Sequence, residues 1–170
     1  MSGHSRWSQI KHQKAITDRK KGQLFSKLSK LISLAARKGT NPETNLELKN
    51  AIEKGRALNM PNDNIERAIK KVSDKSATQL EEINIEAIGP GNVAIKVKAI
   101  TDNRNRTVSE VRNIFSDLGA KMVPPGSISW MFNQSVSVDD PQIKIQLEKL
   151  FEALDDNDDV EDIISNLKDS

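Results

Sequence analysis

Apolar positions follow a helical period from about residue 22 to residue 73 and an alternating period soon after residue 80. In GQLFSKLSKLISLAARKG, Leu24, Leu28, Leu31 and Ala35, flanked by Phe25 and Ile32, form one stripe. Lys27, Lys30, Arg37 and Lys38 fall on other faces, and Gly39 is a natural stop. Asn41-Pro42 breaks the chain, and Asn45 is placed to cap a second helix with Leu48, Ala51, Ile52 and Leu58 on its buried side. NMPND is turn chemistry, and Pro61 can open a third helix carrying Ile65, Ala68, Ile69 and Val72. Three helices with short connections predict a small bundle. The last two loosely resemble a helix-turn-helix, as any two packed helices joined by a proline turn do.

SDKSATQ, Ser73–Gln79, is polar and reads as a linker. INIEA then alternates Ile83, Ile85 and Ala87 with polar residues, Gly89-Pro90-Gly91 signals a hairpin, and VAIKVKAI alternates Val93, Ile95, Val97 and Ala99. TVSEVRNIFSDLG predicts a helix with Thr107 and Glu110 as a capping box, Val108, Val111, Phe115 and Leu118 as its stripe, and Gly119 as its end. SISWMF reads as a strand with Ile128, Trp130 and Phe132 on one face. PQIKIQLEKLFEALDD aligns Ile143, Leu147, Leu150, Phe151 and Leu154, and VEDIISNL supplies a last strand. The expected fold is therefore α+β. A three-helix bundle in residues 1–75 precedes a four-stranded, two-layer α/β sandwich in residues 80–170, ordered β-β-α-β-α-β.

Charge sharpens this division. Residues 1–75 hold 17 lysines and arginines against 7 acids, and residues 76–170 hold 9 against 17, which together give the net +2. The first 38 residues contain ten cations and one acid, Asp18. Such asymmetry points to a basic module for a polyanion joined to an acidic one. With no cysteine, disulfides, thiolate metal sites and a cysteine nucleophile are excluded. No apolar run is long enough for a membrane span, and the N-terminus has no apolar core of a secretory signal, so a cytoplasmic protein without a membrane partner is expected.

Candidate chemistry concentrates in MSGHSRWSQIKHQKA, which holds both histidines and one of the two tryptophans. Arg6, Lys11, Lys14, Arg19, Lys20 and Lys21 can neutralise phosphates, and His4 and His12 can donate to a phosphate or a base. Trp7 offers either a face for a base to stack on or an anchor that packs the arm; the two roles are compatible. TDNRNRT places Asn103, Arg104 and Arg106 at a helix start. There the free N–H groups either favour an anion or are closed by a turn in which Asp102 or Asn103 bonds its own backbone, the arginines being solvated. No catalytic constellation appears. The histidines are eight residues apart with no thiolate to complete a metal site, there is no phosphate loop, and the calcium-loop likeness of LDDNDDVED fails at Val160, where glycine is required. That acidic run reads instead as a solvated helix end.

GHSRWSQIKHQKAITDRKKGQLFSKL resembles the opening of the YebC family, which includes the mitochondrial translational activator of cytochrome c oxidase. The family pattern is Gly-His-Ser-Lys-Trp-x-x-Ile-Lys-His-x-Lys, here with Arg6 in place of lysine. NMPNDNIERAIKK, GPGNVAIKVKAITDNRNRTVSEVRNIF and GSISWMF match further blocks. The resemblance implies a helical N-terminal domain followed by α/β domains. It carries nucleic-acid contact onto His4, Arg6, Trp7, Lys11, His12 and Lys14, and onto Asn103, Arg104 and Arg106. One departure stands out: where the family usually inserts a further α/β domain after the SWMF-like strand, Asn133–Asp139 bridges directly.

The expected function is a nonenzymatic, cofactor-free regulator of gene expression that binds nucleic acid. The resemblance implies DNA binding in transcriptional control. The alternative is a ribosome-associated factor that binds ribosomal or transfer RNA and relieves stalls at proline-rich stretches. A third possibility is a protein-interaction module whose acidic half docks a basic partner.

Overall fold

The computed structural model describes residues 18–74 and 79–168. These fall into two compact units that part at Glu81 and Glu82.

The first unit is helical. α1 (Asp18–Ala36) packs against both α2 (Leu46–Ala57) and α3 (Asn62–Lys70). Leu28, Ile32, Ala35, Leu48, Ala51, Ile52, Met60, Ile65 and Ala68 make its core, close to the set the helical period marks. Because α1 is covered by two helices, more than one of its faces is closed, and Lys27, expected on an outer face, is buried. Asn45 is the hinge of the unit. Its Oδ1 accepts from the Leu48 N–H at 3.2 Å, while its amide donates to the carbonyls of Ala35 and Gly39 at 2.8 Å each. One buried side chain thus caps α2 and closes the open end of α1. Between α2 and α3, Met60 N–H returns to Gly55 O at 2.9 Å, and a Cβ on Gly55 would meet Met60 Sδ at 3.2 Å. The third helix stops at Lys70; Val72, expected on its buried side, lies in a 3-10 turn (Lys71–Ser73) and is exposed.

The second unit is a sheet covered by helices. β1 (Glu81–Ile88) and β2 (Ala94–Thr101) are joined by a 3-10 turn at Pro90–Asn92, in which Gly91 takes φ 71°. Then follow α4 (Arg104–Asp117), β3 (Lys121–Val123), a 3-10 segment (Ser129–Asn133), α5 (Pro141–Asp155) and β4 (Val160–Ser165). The antiparallel sheet is ordered β3-β1-β2-β4. Val93, Ile95, Val97 and Ala99 share one core with Val111 and Phe115 of α4 and Leu147, Leu150, Phe151 and Leu154 of α5. The α+β architecture is the expected one.

Three local expectations are corrected. SISWMF is not a strand; it is a turn followed by the 3-10 segment, and the third strand lies upstream at Lys121–Val123. Pro124 and Pro125 have no N–H for a ladder, and the hydroxyls of Ser127 and Ser129 donate to the Pro124 and Gly126 carbonyls at 2.7 and 3.0 Å, curling the chain. Ile128 is buried, but Trp130 is 62% exposed. Second, Thr107 does not cap α4. The cap lies four residues earlier, at Asn103, whose Oδ1 accepts from Arg106 N–H at 3.1 Å. Third, the acidic run is not wholly solvated, since Asp159 is buried at 5% exposure.

Residues 134–140 run directly into α5 and are built into the fold. Val136 bridges to Leu167 in parallel, exchanging N–H···O bonds of 2.8 Å with Asn166 O and Lys168 N. The buried Asn166 side chain ties this corner together. It accepts from Ala94 N–H at 2.8 Å and donates to Met131 O at 3.1 Å, holding the 3-10 segment beside the end of β4.

Candidate nucleic-acid interface

Of the residues the sequence nominates, His4, Arg6, Trp7, Lys11, His12 and Lys14 lie outside the described residues. Arg19, Lys20 and Lys21 occupy the first turn of α1. Successive helical positions turn by about 100°, so three in a row spread over more than half of the circumference. Asp18 through Gly22 are all exposed, including Lys21, which lies in line with buried Leu28 two turns on. The turn therefore presents cations on several sides. Just past the end of α1, Arg37 donates to Leu80 O, and Lys38 pairs with Glu47 at 2.7 Å.

Asn103, Arg104 and Arg106 stand together at the start of α4 in the second unit but have different surroundings. Asn103 closes the first turn of the helix. Arg106 is paired: one guanidinium nitrogen lies 3.0 Å from Asp102 Oδ1 and 3.0 Å from Asp159 Oδ2. The hydrogen bond to Asp159, then that to Asp102, then the attraction of the Asp159 charge raise its pKa above the usual arginine value. Thr107 Oγ1 lies 2.7 Å from both Thr101 Oγ1 and Asp159 Oδ2. With one proton to give, Thr107 donates to the carboxylate and accepts from Thr101. Asp159 is thus a buried anion held by a cation and a hydroxyl, and the start of α4 is fastened to the loop before β4.

Arg104 faces elsewhere. It lines a groove of about 420 Å³ with Asn105, Val108, Ser109 and Arg112 of α4, Asn84, Ile85 and Glu86 of β1, and Met122, Val123 and Pro125. The groove exists because β3 is short: its register covers only Glu86–Ile88 of β1, and the two prolines then leave the sheet. Its walls are unequal. Arg104 and Arg112 supply cations, Ile85, Val108 and Met122 supply apolar surface, and the Glu86 carboxylate is occupied by the Gly126 N–H at 2.7 Å. Arg112 and this groove escaped the sequence reading. The available signal was the spacing of Arg104, Asn105, Val108, Ser109 and Arg112, which share one helical face.

Among the described residues, no group of three histidine, aspartate or glutamate side chains could hold a metal ion, and no helix is long and apolar enough to cross a membrane.

The division into a basic helical unit and an α+β sandwich coincides with the division between two family models that match the chain. The chain matches the TACO1/YebC protein N-terminal domain over residues 5–75 and the TACO1/YebC second and third domain over residues 80–139, and it belongs to that family. It is 47% identical over 155 residues to a probable transcriptional regulatory protein of Treponema denticola, covering 90% of this chain and 63% of that one. It is 49% identical over 146 residues to another so named from Natranaerobius thermophilus, covering 84% and 58%. The chain therefore spans about three-fifths of the length of these curated relatives. The crystal structure of a conserved hypothetical protein from Aquifex aeolicus superposes with a TM-score of 0.86 at 31% identity, over 96% of each chain.

Proposed function

We propose that this protein regulates gene expression by binding nucleic acid in the cytoplasm, without catalysis of its own. The observation that carries the reading is the projecting cationic turn of α1, Arg19–Lys21, set in a half-chain of balance +10. The names of the relatives favour transcription, for which DNA is the target in this reading, and the YebC resemblance leaves ribosomal or transfer RNA as the other target. In this reading His4, Arg6, Trp7, Lys11, His12 and Lys14 continue the phosphate contacts of Arg19, Lys20 and Lys21. Arg104 adds a contact from the second unit, and Asn103 and Arg106 hold the start of α4 in position for it.

Salt-titrated binding of the full chain to duplex DNA and to a ribosomal RNA fragment tests this. Each phosphate neutralised adds about 0.9 to the log–log salt slope on duplex DNA. Replacing Arg19, Lys20 and Lys21 with alanine should flatten that slope by up to about 2.7 units. An unchanged slope would remove α1 from the interface, and tighter binding to RNA at matched salt would move the assignment from transcription to translation.

A further inference from the structure

The groove beside β3 is built unlike a phosphate site alone. Its cations stand at the two ends of one helical face, since Arg104 and Arg112 are eight residues apart, or about 12 Å along the axis at 1.5 Å per residue. Between them lies a small apolar strip from the half-buried Val108 and Met122, with the edge of buried Ile85 below it and the amides of Asn84 and Asn105 and the Ser109 hydroxyl beside it. The fixed carboxylate of Glu86 repels a phosphate from the interior while accepting a hydrogen bond from a donor that enters it. At about 420 Å³ the space lies in the small-ligand range of about 300–1,000 Å³.

We propose that this groove receives one unpaired nucleotide of a single strand, its base on the Ile85–Val108–Met122 strip and its flanking phosphates at Arg104 and Arg112. The proposal rests on the nucleic-acid reading above and goes beyond it by naming the form of the ligand. A duplex offers the groove only its phosphates and leaves the apolar strip wet, because paired bases keep their faces stacked. An unpaired nucleotide satisfies cations and strip together, as single-strand sites do. An acidic peptide matches the arginines but brings its carboxylates toward Glu86.

The test uses the full chain with its methionine methyl groups isotopically labelled, an unstructured single-stranded oligoribonucleotide of mixed sequence, and a duplex of the same sequence. Met122 reports on the groove and Met60 on the helical core. Adding the single strand should shift the Met122 methyl by the ring current of a base and leave Met60 in place. Arg104→Ala/Arg112→Ala, and separately Ser109→Trp, which fills the groove from an exposed position, should each weaken single-strand binding about 5- to 150-fold, the range of one stacked base. Ser109→Trp should leave duplex affinity unchanged. Normal single-strand binding with a stationary Met122 and both variants intact would overturn the groove assignment and leave the nucleic-acid reading standing. Failure of the wild-type chain to bind any nucleic acid would overturn both. A Met122 shift with a polyglutamate peptide but not with the oligonucleotide would assign the groove to an acidic chain instead.

Discussion

Replacing Arg106 with alanine strips the buried Asp159 carboxylate of the guanidinium 3.0 Å away, while the Thr107 hydroxyl at 2.7 Å stays in place. A hydrogen bond to a charged group contributes about 1.5–3 kcal/mol, and breaking a fully buried pair costs about 3–5. The Arg106 side chain is 44% exposed, so water can enter where the guanidinium was, and the lower figures apply. The exposed pair with Asp102 adds only about 0.3–0.5 kcal/mol. The expected loss is about 2 kcal/mol. For a unit of this size, melting alone, that is a fall of about 8–16 °C in Tm.

Urea unfolding of wild type, Arg106→Ala, Asp159→Asn and the double variant measures it. The pair should show a coupling above about 1 kcal/mol, against agreement within about 0.5 for independent sites. The pH dependence has a definite sign. A cation whose folded pKa is raised stabilises fully below its unfolded value and loses that contribution only as pH rises through the folded value. Arg106 is raised above the already high arginine range, so the difference between wild type and Arg106→Ala should hold constant from neutral to mildly alkaline pH. Additive single effects, or an Arg106→Ala protein as stable as wild type, would refute the account of Asp159 as a paired buried anion.

Asn45→Ala removes a helix cap and orphans two carbonyls at once; urea unfolding should show a loss of about 2–4 kcal/mol, and a change below 1 would deny Asn45 its hinge role. If SDKSATQ links two domains with boundaries near 75 and 80, limited proteolysis should cut there first and release a folded fragment beginning near residue 80, whereas first cleavage within 83–132 would misplace the boundary. Trp7→Ala should weaken single-strand binding by about 1–3 kcal/mol with little change in salt slope, while Lys11→Ala/Lys14→Ala should flatten the duplex slope by up to about two units. A Trp7→Ala protein that melts lower yet binds normally while folded would assign the indole to packing.

What the sequence made legible was whatever a short window determines. The stripes of α1, α4 and α5, the alternation of β2 and the Asn45 cap follow from period and from side-chain reach over a few residues, and the core residues they nominate are largely those buried. Where a short-range signal had a competitor, the sequence could not arbitrate. Thr107 and Glu110 satisfy the capping-box spacing, but Asn103 is an equally good cap upstream. What decides between them is Asp159, 52 residues away, which needs the Thr107 hydroxyl inside. The alternation of Ile128, Trp130 and Phe132 is real, yet Ser127 and Ser129 bond backward to the Pro124 and Gly126 carbonyls and curl the chain where the strand it suggests would begin.

The same distinction separates the two candidate binding regions, one in each unit. A concentration of charge is a compositional fact, so the cationic turn at Arg19–Lys21 could be read directly, and its exposure only adds that the charges project. The groove is a consequence of where a strand stops. Had β3 continued past Val123, a longer ladder would cover the lower part of β1, and Arg104 and Arg112 would line a filled sheet edge instead of a recess. Pro124-Pro125 therefore does more than end a strand. Replacing both prolines with residues that carry an N–H permits the ladder to extend toward Asn84, which should narrow the groove and lower single-strand affinity while leaving the cationic turn of α1 untouched.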